Sequence, residues 1–347
     1  MLAMGHGFGR LRLNLAVLLF CASLSISAHA ESVKGVFALP DVDQAVTGEM
    51  TLKETGPLSR TLEVVMADMS SGQQIDTFEM ELTQELHILA VDDQLTTLVH
   101  RHVEHATADG KFVSEFEFPH PGLYHIYTDA VPENFGQQVL RFDVVIGDPV
   151  TPLTAADRTA RLKDALSEHP SSSSGRYVVK LDPSKLQAGE ESMISLAVSK
   201  DGQTAEDIEP YLGVAAHAVF VRADDLTYVH AHAMTDVAEP SAHGAEPVAH
   251  GTGGDDHDAE PAMEGMHHDM TAEQASTDAS NHHDHSSAEP GDNDQRRSGT
   301  QFVAPDMTVH VTPPDEGTYA LWIEFMGGGD VQTVPFALEV PPAHHHH

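Results

Sequence analysis

The sequence predicts an all-β protein with two β-sandwich domains, and two kinds of observation carry this prediction. Short runs of alternating apolar and polar residues, separated by turn residues, fill residues 31–150, which is typical of a sandwich. A sixteen-residue pattern also occurs twice, as HILAVDDQLTTLVHRH at residues 87–102 and as HAVFVRADDLTYVHAH at residues 217–232. Further along, PGLYHIY at residues 121–127 matches EGTYALW at residues 316–322. The matches indicate a duplicated domain.

The two copies differ in the distance between these motifs. The offset between the copies is 130 residues at the histidines and 195 residues at the later motif, so the second copy carries about 65 extra residues. This insertion, residues 235–299, has no Phe, Tyr or Trp and is rich in Ala, Gly, Asp, Glu, Ser and His. It cannot bury enough apolar surface to offset the entropy lost on ordering, so we expect a disordered loop.

A helix and a linker are expected between the two copies. Residues 154–168 have a weak apolar stripe at helical spacing, with Thr154 as the expected N-cap. Pro170 and the serines at 171–174 predict a flexible linker. The predicted layout is a signal peptide (1–30), a first β-sandwich domain (31–150), a helix and linker (151–175), a second β-sandwich domain with the insertion (176–340) and a tail (341–347).

The N-terminal segment has the features of a secretory signal peptide. Two arginines precede an apolar stretch at Leu13–Ile26, which is short for a membrane span, and a small-residue cleavage site ends at Ala30. The expected mature chain begins at Glu31 and is periplasmic or secreted, with no further segment apolar enough to insert into a membrane. Cleavage after Ala28 is the alternative, and it would leave His29 as an amino-terminal copper chelator.

Composition limits the partners and ligands that the chain can use. The formal net charge of −36 argues against nucleic acid and anionic membrane surfaces as partners, and it suits the attraction of cations. The single cysteine, Cys21, lies inside the predicted signal peptide, so metal ligands of the mature chain must be histidine, methionine or carboxylate side chains. The sequence has no phosphate-loop, nucleophile-elbow or zinc-protease motif, and we do not expect an enzyme.

Each copy of the repeated pattern places three histidines on one predicted β-hairpin. A turn centred between residues 93 and 94 puts His87 across from His100, with His102 two residues further along the same face. The second copy has the same spacing, so the candidate metal ligands are His87, His100, His102, His217, His230 and His232. Three imidazoles on one face suit zinc or copper. The alternative is hydrogen-bonded core or rim histidines, because Leu89 and Val91 share that face.

The insertion contains further candidate ligands. Its histidines are interleaved with aspartates, a composition that is typical of metal binding. Methionines surround a histidine pair in MEGMHHDM at residues 263–270, and thioether sulfur favours Cu(I) while imidazole accepts Cu(II). The candidates in the insertion and just before it are Met234, His257, Met263, Met266, His267, His268, Met270, His282, His283 and His285. The alternative is a solubilising acidic spacer in which the histidines are incidental.

A tyrosine motif near the end of each copy favours an immunoglobulin-like sandwich. DEGTY at residues 315–319 has the form of a tyrosine corner, in which the tyrosine hydroxyl bonds to nearby backbone. The first copy keeps Tyr124 but has His120 where the aspartate would stand. His105, His120 and His125 have no counterpart in the second copy, and we expect them at the surface.

Three segments of the second copy resemble a family of bacterial secreted immunoglobulin-like domains that occur beside heavy-metal transport and copper-resistance genes. They are IEPYLGVAAH at residues 208–217, YVHAH at residues 228–232 and GTYALWIEF at residues 317–325. The resemblance implies an immunoglobulin-like or cupredoxin-like sandwich. The proline that the family carries after the last histidine is missing here, since Val103 and Ala233 stand in its place.

That resemblance covers most of residues 80–146 and 176–340, and the second copy shows it more clearly. Separately, residues 263–270 resemble the Met- and His-rich tracts of periplasmic copper-resistance proteins. Both resemblances imply copper handling outside the cytoplasm.

These observations predict a copper-binding protein that takes up Cu(I) or Cu(II) and sequesters it or delivers it to a metal-transporting membrane protein. The acidic loop would collect ions at weak, exchanging sites, and the second hairpin would offer a pre-organised site. Binding by imidazole should weaken below about pH 6.5. One alternative is a zinc-binding acceptor or delivery protein. The other is an adhesion or assembly module of immunoglobulin-like domains with the loop as a spacer.

Overall fold

The structure, a computed structural model, describes residues 30–40, 42–81, 83–166, 171–235 and 302–343. Within these residues the chain forms strands and a single helix, so the predicted all-β class is confirmed. No helix in the described part of the chain has the length and hydropathy needed to cross a membrane. The predicted signal peptide up to residue 29, nearly all of the insertion and residues 344–347 lie outside the described residues.

The first repeat, residues 30–146, forms two main antiparallel sheets. Its strands are β1 (Ala30–Lys34), β2 (Val36–Phe37), β3 (Val46–Glu54), β4 (Ser59–Asp68), β5 (Phe78–Glu79), β6 (Leu86–Asp92), β7 (Leu98–Val103), β8 (Lys111–Glu117), β9 (Gly122–Pro132) and β10 (Gln138–Ile146). One sheet has the order β1-β3-β4-β8, and the other has the order β2-β10-β9-β6-β7 with β5 paired to β9. Met50 and Leu62 of the first sheet lie in one buried cluster with Ile88 and Phe142 of the second.

A helix follows the first repeat. Helix α1 spans Ala155–Leu166, and the Thr154 hydroxyl accepts a hydrogen bond from the backbone N–H of Asp157 at 3.1 Å, which is an N-cap contact. The serines predicted as a flexible linker instead form strand β11 (Ser171–Ser174), which pairs with β12 (Tyr177–Asp182). That pairing uses backbone groups alone, so a run of serines can extend the edge of a sheet without apolar side chains.

The second repeat, residues 177–235 and 302–340, forms one long sheet. After β12 its strands are β13 (Ser192–Lys200), β14 (Gln203–Thr204), β15 (Ile208–Glu209), β16 (Ala216–Arg222), β17 (Tyr228–Met234), β18 (Asp306–Val311), β19 (Gly317–Gly327) and β20 (Asp330–Val340). The order is β11-β12-β13-β18-β17-β16-β19-β15, with β14 on β13 and β20 on β19. Its two halves enclose a buried cluster that contains Val179 and Ile194 on one side and Phe220 and Phe336 on the other.

The hairpin register differs from the prediction. His87 pairs with His102 and Leu89 pairs with His100, so the expected pairing of His87 with His100 is wrong by two residues. The turn is longer than expected because the Asp92 carboxylate accepts hydrogen bonds from the backbone N–H groups of Thr96 and Thr97, at 2.8 and 2.7 Å. The second hairpin has the equivalent register. A shift of two residues keeps every side chain on its face, so each histidine triplet still shares one face.

A third buried cluster joins the two repeats. Leu89 and Val91 of β6 lie in the same cluster as Val219 and Val221 of β16, and each pair occupies equivalent positions 130 residues apart. The faces that carry the histidines therefore face each other across the boundary between the repeats. This explains why β6 is buried at all seven of its positions. Both faces of that strand are covered, one by its own repeat and one by the other repeat.

The tyrosine motif makes the same contact in both repeats. The Tyr124 hydroxyl donates to the backbone oxygen of His120 at 2.8 Å, and the Tyr319 hydroxyl donates to that of Asp315 at 2.9 Å. Because the acceptor is a backbone carbonyl, the first repeat makes this contact with histidine in place of aspartate.

Candidate metal centre

The six hairpin histidines form one cluster at the boundary between the repeats. Residues of β6 and β7 meet residues of β16 and β17, with ring centroids of His87 and His230 5.2 Å apart and those of His100 and His217 5.5 Å apart. The sequence predicted two separate triplets, one on each hairpin. We call the combined set the histidine centre: His87, His100, His102, His217, His230 and His232.

Two carboxylates add an approximate twofold relationship to the histidine centre. Asp129 on β9 and Glu324 on β19 occupy equivalent positions, and each pairs across its own sheet with the first histidine of a triplet. Each also reaches a histidine of the other repeat. Glu324 Oε2 lies 2.7 Å from His100 Nδ1, and Asp129 Oδ2 lies 3.6 Å from His230 Nδ1. Sequence reasoning missed both carboxylates, although the 195-residue offset relates them.

Hydrogen bonds account for part of the histidine centre. His217 Nε2 lies 3.2 Å from the backbone oxygen of Tyr211, and His217 Nδ1 lies 3.1 Å from His230 Nε2. Since a carbonyl can only accept, Nε2 of the neutral His217 ring carries the hydrogen and its Nδ1 accepts from His230. The His230 ring is thereby held in place through its Nε2.

Several other ring nitrogens in the histidine centre are buried without a partner. Among the described residues, no hydrogen-bond partner exists for Nδ1 and Nε2 of His87, Nε2 of His100, Nε2 of His102, Nδ1 of His230 and Nε2 of His232. A buried polar atom without a partner costs about 1–3 kcal/mol, and native proteins leave few of them. Five imidazoles that each leave a nitrogen unpaired in one place indicate a ligand that accepts lone pairs, and a metal ion is such a ligand.

Two sets of three histidines have the spacing that a metal ion requires. One set is His217, His230 and His232, all from the second hairpin, and its ligand atoms lie within 4.8 Å of one another. The other set spans the repeats and meets the same limit of 4.8 Å: His87, His100 and His230. Imidazole nitrogens bind zinc at about 2.0–2.1 Å, so ligand atoms around one ion lie about 3–4 Å apart, and both sets need only small side-chain adjustments.

Burial favours the neutral form of His87, His102, His217 and His230. It lowers the pKa of His87 to about 4, with repulsion from His100 as the next cause. Burial followed by repulsion from neighbouring histidines lowers the pKa values of His102, His217 and His230 in the same way. Burial also raises the pKa of the Asp129 carboxyl. Neutral imidazole is the form that can bind a metal ion.

A surface cavity of about 280 Å³ reaches the histidine centre. Its lining includes His230 and Tyr228 from β17 and Gln137 from the first repeat. Gln137 donates to both carboxylate oxygens of Asp129, at 2.9 and 3.1 Å, and so fixes the second carboxylate of the centre. The His230 side chain is itself 1% exposed, and it is the one member of the histidine centre in that lining.

The remaining predicted ligands are placed differently. Met234 continues the row of His230 and His232 along β17, but its side chain is 62% exposed, and the histidine sets with metal-ion spacing do not include it. The loop candidates lie outside the described residues: His257, Met263, Met266, His267, His268, Met270, His282, His283 and His285.

The expectation that His125 lies at the surface is wrong. His125 is 3% exposed. Its Nδ1 lies 2.7 Å from Asp143 Oδ1, and its Nε2 lies 3.1 Å from Asp93 Oδ1. Burial alone would lower the pKa of His125, but hydrogen bonds to Asp143 and Asp93 raise it above its usual value. Arg158 of α1 also contacts Asp93 at 3.1 Å. A buried ionic network therefore lies at the turn end of β6, where Val91 pairs with His125, and the carboxylate of Asp143 across the strand is the signal in the sequence that points to it.

The other two unmatched histidines lie nearer the surface. The side chain of His105 is 62% exposed and contacts Glu85 at 3.1 Å. His120 supplies the backbone acceptor of the first tyrosine contact. Neither of them belongs to the two sets with metal-ion spacing.

Comparison with known families bears on the second repeat. A domain of unknown function (DUF8832) matches residues 171–252 and 248–342. The matched ranges span the second repeat and the insertion, and the description names no ligand or activity. No curated protein matches the chain. The chain is thus similar, over residues 171–342, to a domain family whose description assigns no function.

Proposed function

We propose that this chain is a periplasmic or secreted protein that binds copper at the histidine centre and holds it or passes it to a metal-transporting membrane protein. The observation that carries the proposal is the burial of ring nitrogens without partners on five histidines at one place. We further propose that each repeat is an immunoglobulin-like sandwich that holds its hairpin rigid, as the paired tyrosine contacts and the resemblance support.

The set formed by His217, His230 and His232 is the pre-organised site in this proposal. Its residues lie on one hairpin, so the β16–β17 pairing fixes their spacing before an ion arrives. A structural role for the histidines is less favoured, because core histidines with a purely structural role would use their ring nitrogens in hydrogen bonds. We propose binding without catalysis. In both sets the donors to the ion are imidazoles that are buried or half-buried.

Copper is proposed over zinc because of the insertion. The histidine centre offers nitrogen and carboxylate donors, which suit both Cu(II) and Zn(II). The methionines at 263, 266 and 270 add thioether donors that zinc seldom uses and that favour Cu(I). In this proposal the acidic insertion collects ions and the histidine centre retains them, with the chain's charge of −36 raising the local concentration of cations.

The test separates the two parts of the chain. We define the loop-substituted chain as the full-length protein with asparagine at the eight loop histidines and leucine at the three loop methionines: His243, His250, His257, His267, His268, His282, His283, His285, Met263, Met266 and Met270. Affinities for Cu(I), Cu(II) and Zn(II) are measured by competition with chelators. We expect the loop-substituted chain to retain tight copper binding, and replacement of His217, His230 and His232 by alanine to remove it.

A matched control is His310→Ala, since His310 has a side chain that is 47% exposed and pairs with Glu191. That variant should bind copper as the parent does. Equal affinity in the triple-alanine variant and the parent would overturn the proposal. Preference for Zn(II), unaffected by the loop methionines, would favour the zinc alternative. A melting temperature that no metal changes would favour an adhesion or assembly module, since a ligand that binds the folded state must stabilise it.

A further inference from the structure

We infer that the histidine centre contains a second transition-metal site, formed by His87 and His100 of the first repeat with His230 of the second, and that it is filled together with the His217/His230/His232 site. This inference rests on the proposed function, because it assigns a second ion to the same centre. The sequence placed each site on a single hairpin, whereas this one exists only where the two repeats meet. The proposed ligand is a monovalent or divalent transition-metal ion that binds imidazole nitrogen.

The geometry of this inter-repeat site is compact. Ring centroids are 5.8 Å apart for His87 and His100, 5.2 Å for His87 and His230, and 5.7 Å for His100 and His230. His87 and His100 are 1% and 5% exposed, and the side chain of His230 is 1% exposed. Three converging buried imidazoles form a three-nitrogen set, and three protein ligands are the number that catalytic zinc sites commonly have.

The number of donors argues for two ions. One tetrahedral ion takes at most four nitrogens. Unpaired nitrogens occur on five histidines, and the two sets with metal-ion spacing together use four of those five plus His217. If a single ion occupied the second hairpin, it would leave His87 and His100 with buried unpaired nitrogens. A second ion between His87, His100 and His230 gives one nitrogen of each of these rings a partner and so lowers that cost.

Glu324 prepares the inter-repeat site. It holds Nδ1 of His100 at 2.7 Å, so the nitrogen left for an ion is Nε2, which has no partner among the described residues. Thr333 in turn donates to Oε1 of Glu324 at 2.8 Å and fixes the carboxylate. A carboxylate that orients a metal-binding imidazole in this way raises the basicity of the ring and fixes its direction.

His230 belongs to both sets, and it has two ring nitrogens with which to serve two ions. When both ions are bound, the neutral ring must release its remaining N–H hydrogen to solvent as a proton. An ion in the inter-repeat site also joins ligands from both repeats, so it fastens the two repeats to each other. Loss of His230 therefore weakens both sites, whereas loss of His87 weakens one.

The test is ion stoichiometry in the loop-substituted chain, measured by native mass spectrometry with Cu(II) and with Zn(II). The loop-substituted chain without any further substitution, which is the parent in this test, should bind two ions tightly. His87→Ala, which lies in the inter-repeat set alone, should bind one. His232→Ala, which lies in the second-hairpin set alone, should also bind one. His230→Ala should bind neither ion tightly, and the His310→Ala control should bind two. Circular dichroism of each variant checks that it folds.

Electron paramagnetic resonance tests the same point without any substitution. The first Cu(II) added to the parent should give a signal of an isolated ion, and the second should broaden or quench it because two ions that share a ligand are magnetically coupled. One ion per chain, lost completely in His232→Ala and kept in His87→Ala, would overturn the inter-repeat site while leaving the proposed function intact. If every variant and the parent bind no ion tightly, the proposed function itself is wrong.

Discussion

Nδ1 of His100 lies 2.7 Å from Oε2 of Glu324, and these two buried residues belong to different repeats of the chain. The equivalent pair, His230 and Asp129, is 3.6 Å apart. Each repeat therefore places a carboxylate near an imidazole of the other repeat, but only the Glu324–His100 pair is within hydrogen-bond distance. The histidine centre therefore depends on both repeats of the chain. Neither hairpin alone contains all of the histidines and the carboxylates near them.

The first prediction concerns Glu324→Gln. The substitution keeps the side chain's size but removes the charge that orients His100 and raises the basicity of its ring. We expect metal affinity of the inter-repeat site to fall about 10–100-fold, the usual effect of removing an orienting carboxylate. Competition with a chelator in the loop-substituted chain measures it. Glu191→Gln, which changes an exposed carboxylate near His310, should leave affinity unchanged.

The second prediction concerns acid. The pKa of His87 is about 4 in the folded protein, because of burial and then repulsion from His100, against 6.5 for the ordinary side chain. Between these values the unfolded chain binds more protons than the folded chain. His87 therefore does not reduce the free energy of unfolding above pH 6.5. As the pH drops from 6.5 towards 4, protonation of His87 in the unfolded chain lowers the free energy of unfolding by up to about 3 kcal/mol.

Urea unfolding of the metal-free protein at pH 7.5 and pH 4.5 measures this loss. His87→Leu, which has no proton to bind, should lose less stability on acidification than the parent. The raised pKa of His125 has the opposite effect on stability. Protonated His125 stabilises the folded protein fully below pH 6.5, and this stabilisation is lost only as the pH rises. Identical pH dependence in His87→Leu and the parent would contradict the assignment to His87.

Much of the fold could be predicted from sequence because its signals are local. The repeated histidine spacing identified two equivalent hairpins, and the period of two along a strand put each triplet on one face even though the register was wrong by two residues. The register itself depended on the Asp92 carboxylate accepting two backbone N–H groups, a side-chain contact that the hydrophobic pattern does not encode.

The meeting of the two triplets could not be predicted from spacing, because it depends on how one sheet packs on another. A signal for it existed in the run His87 to Val91, in which the apolar residues do not alternate with polar ones. A strand without alternation is covered on both faces. Leu89 and Val91 share the face that carries the histidines, and they lie in one buried cluster with Val219 and Val221 of the other repeat.

The third prediction concerns the two tyrosine contacts. Tyr124→Phe and Tyr319→Phe each remove one hydrogen bond to a backbone carbonyl, at 2.8 and 2.9 Å in the parent. Each should lower the free energy of unfolding by about 1 kcal/mol. The two losses should be similar although the acceptor residues differ, His120 in one repeat and Asp315 in the other. Urea unfolding of both variants measures them, and a loss confined to one variant would contradict an equivalent role for the two contacts.

The fourth prediction concerns Arg158, which connects the repeats at the turn ends of the two hairpins. Its guanidinium donates to Asp93 Oδ1 at 3.1 Å in the first repeat and to the backbone oxygens of Ala223 and Asp224 at 2.9 and 3.3 Å in the second. Arg158→Met keeps most of the apolar stem and removes the donor to the buried Ala223 carbonyl, while Asp93 keeps its contacts to His125 and to the backbone N–H of Leu153. A buried acceptor that loses its partner costs about 1–3 kcal/mol, and we expect a loss of that order in the free energy of unfolding.

Arg161→Met is the matched control on the same helix. Arg161 is exposed and contacts Gln94 at 3.2 Å, so its replacement should cost less than about 1 kcal/mol. Because Arg158 holds the boundary on which the inter-repeat site depends, Arg158→Met should also weaken binding of the second ion more than binding of the first. Thermal unfolding and ion stoichiometry of the two variants measure both effects. Equal losses in Arg158→Met and Arg161→Met would mean that the helix, and not the buried guanidinium, joins the repeats.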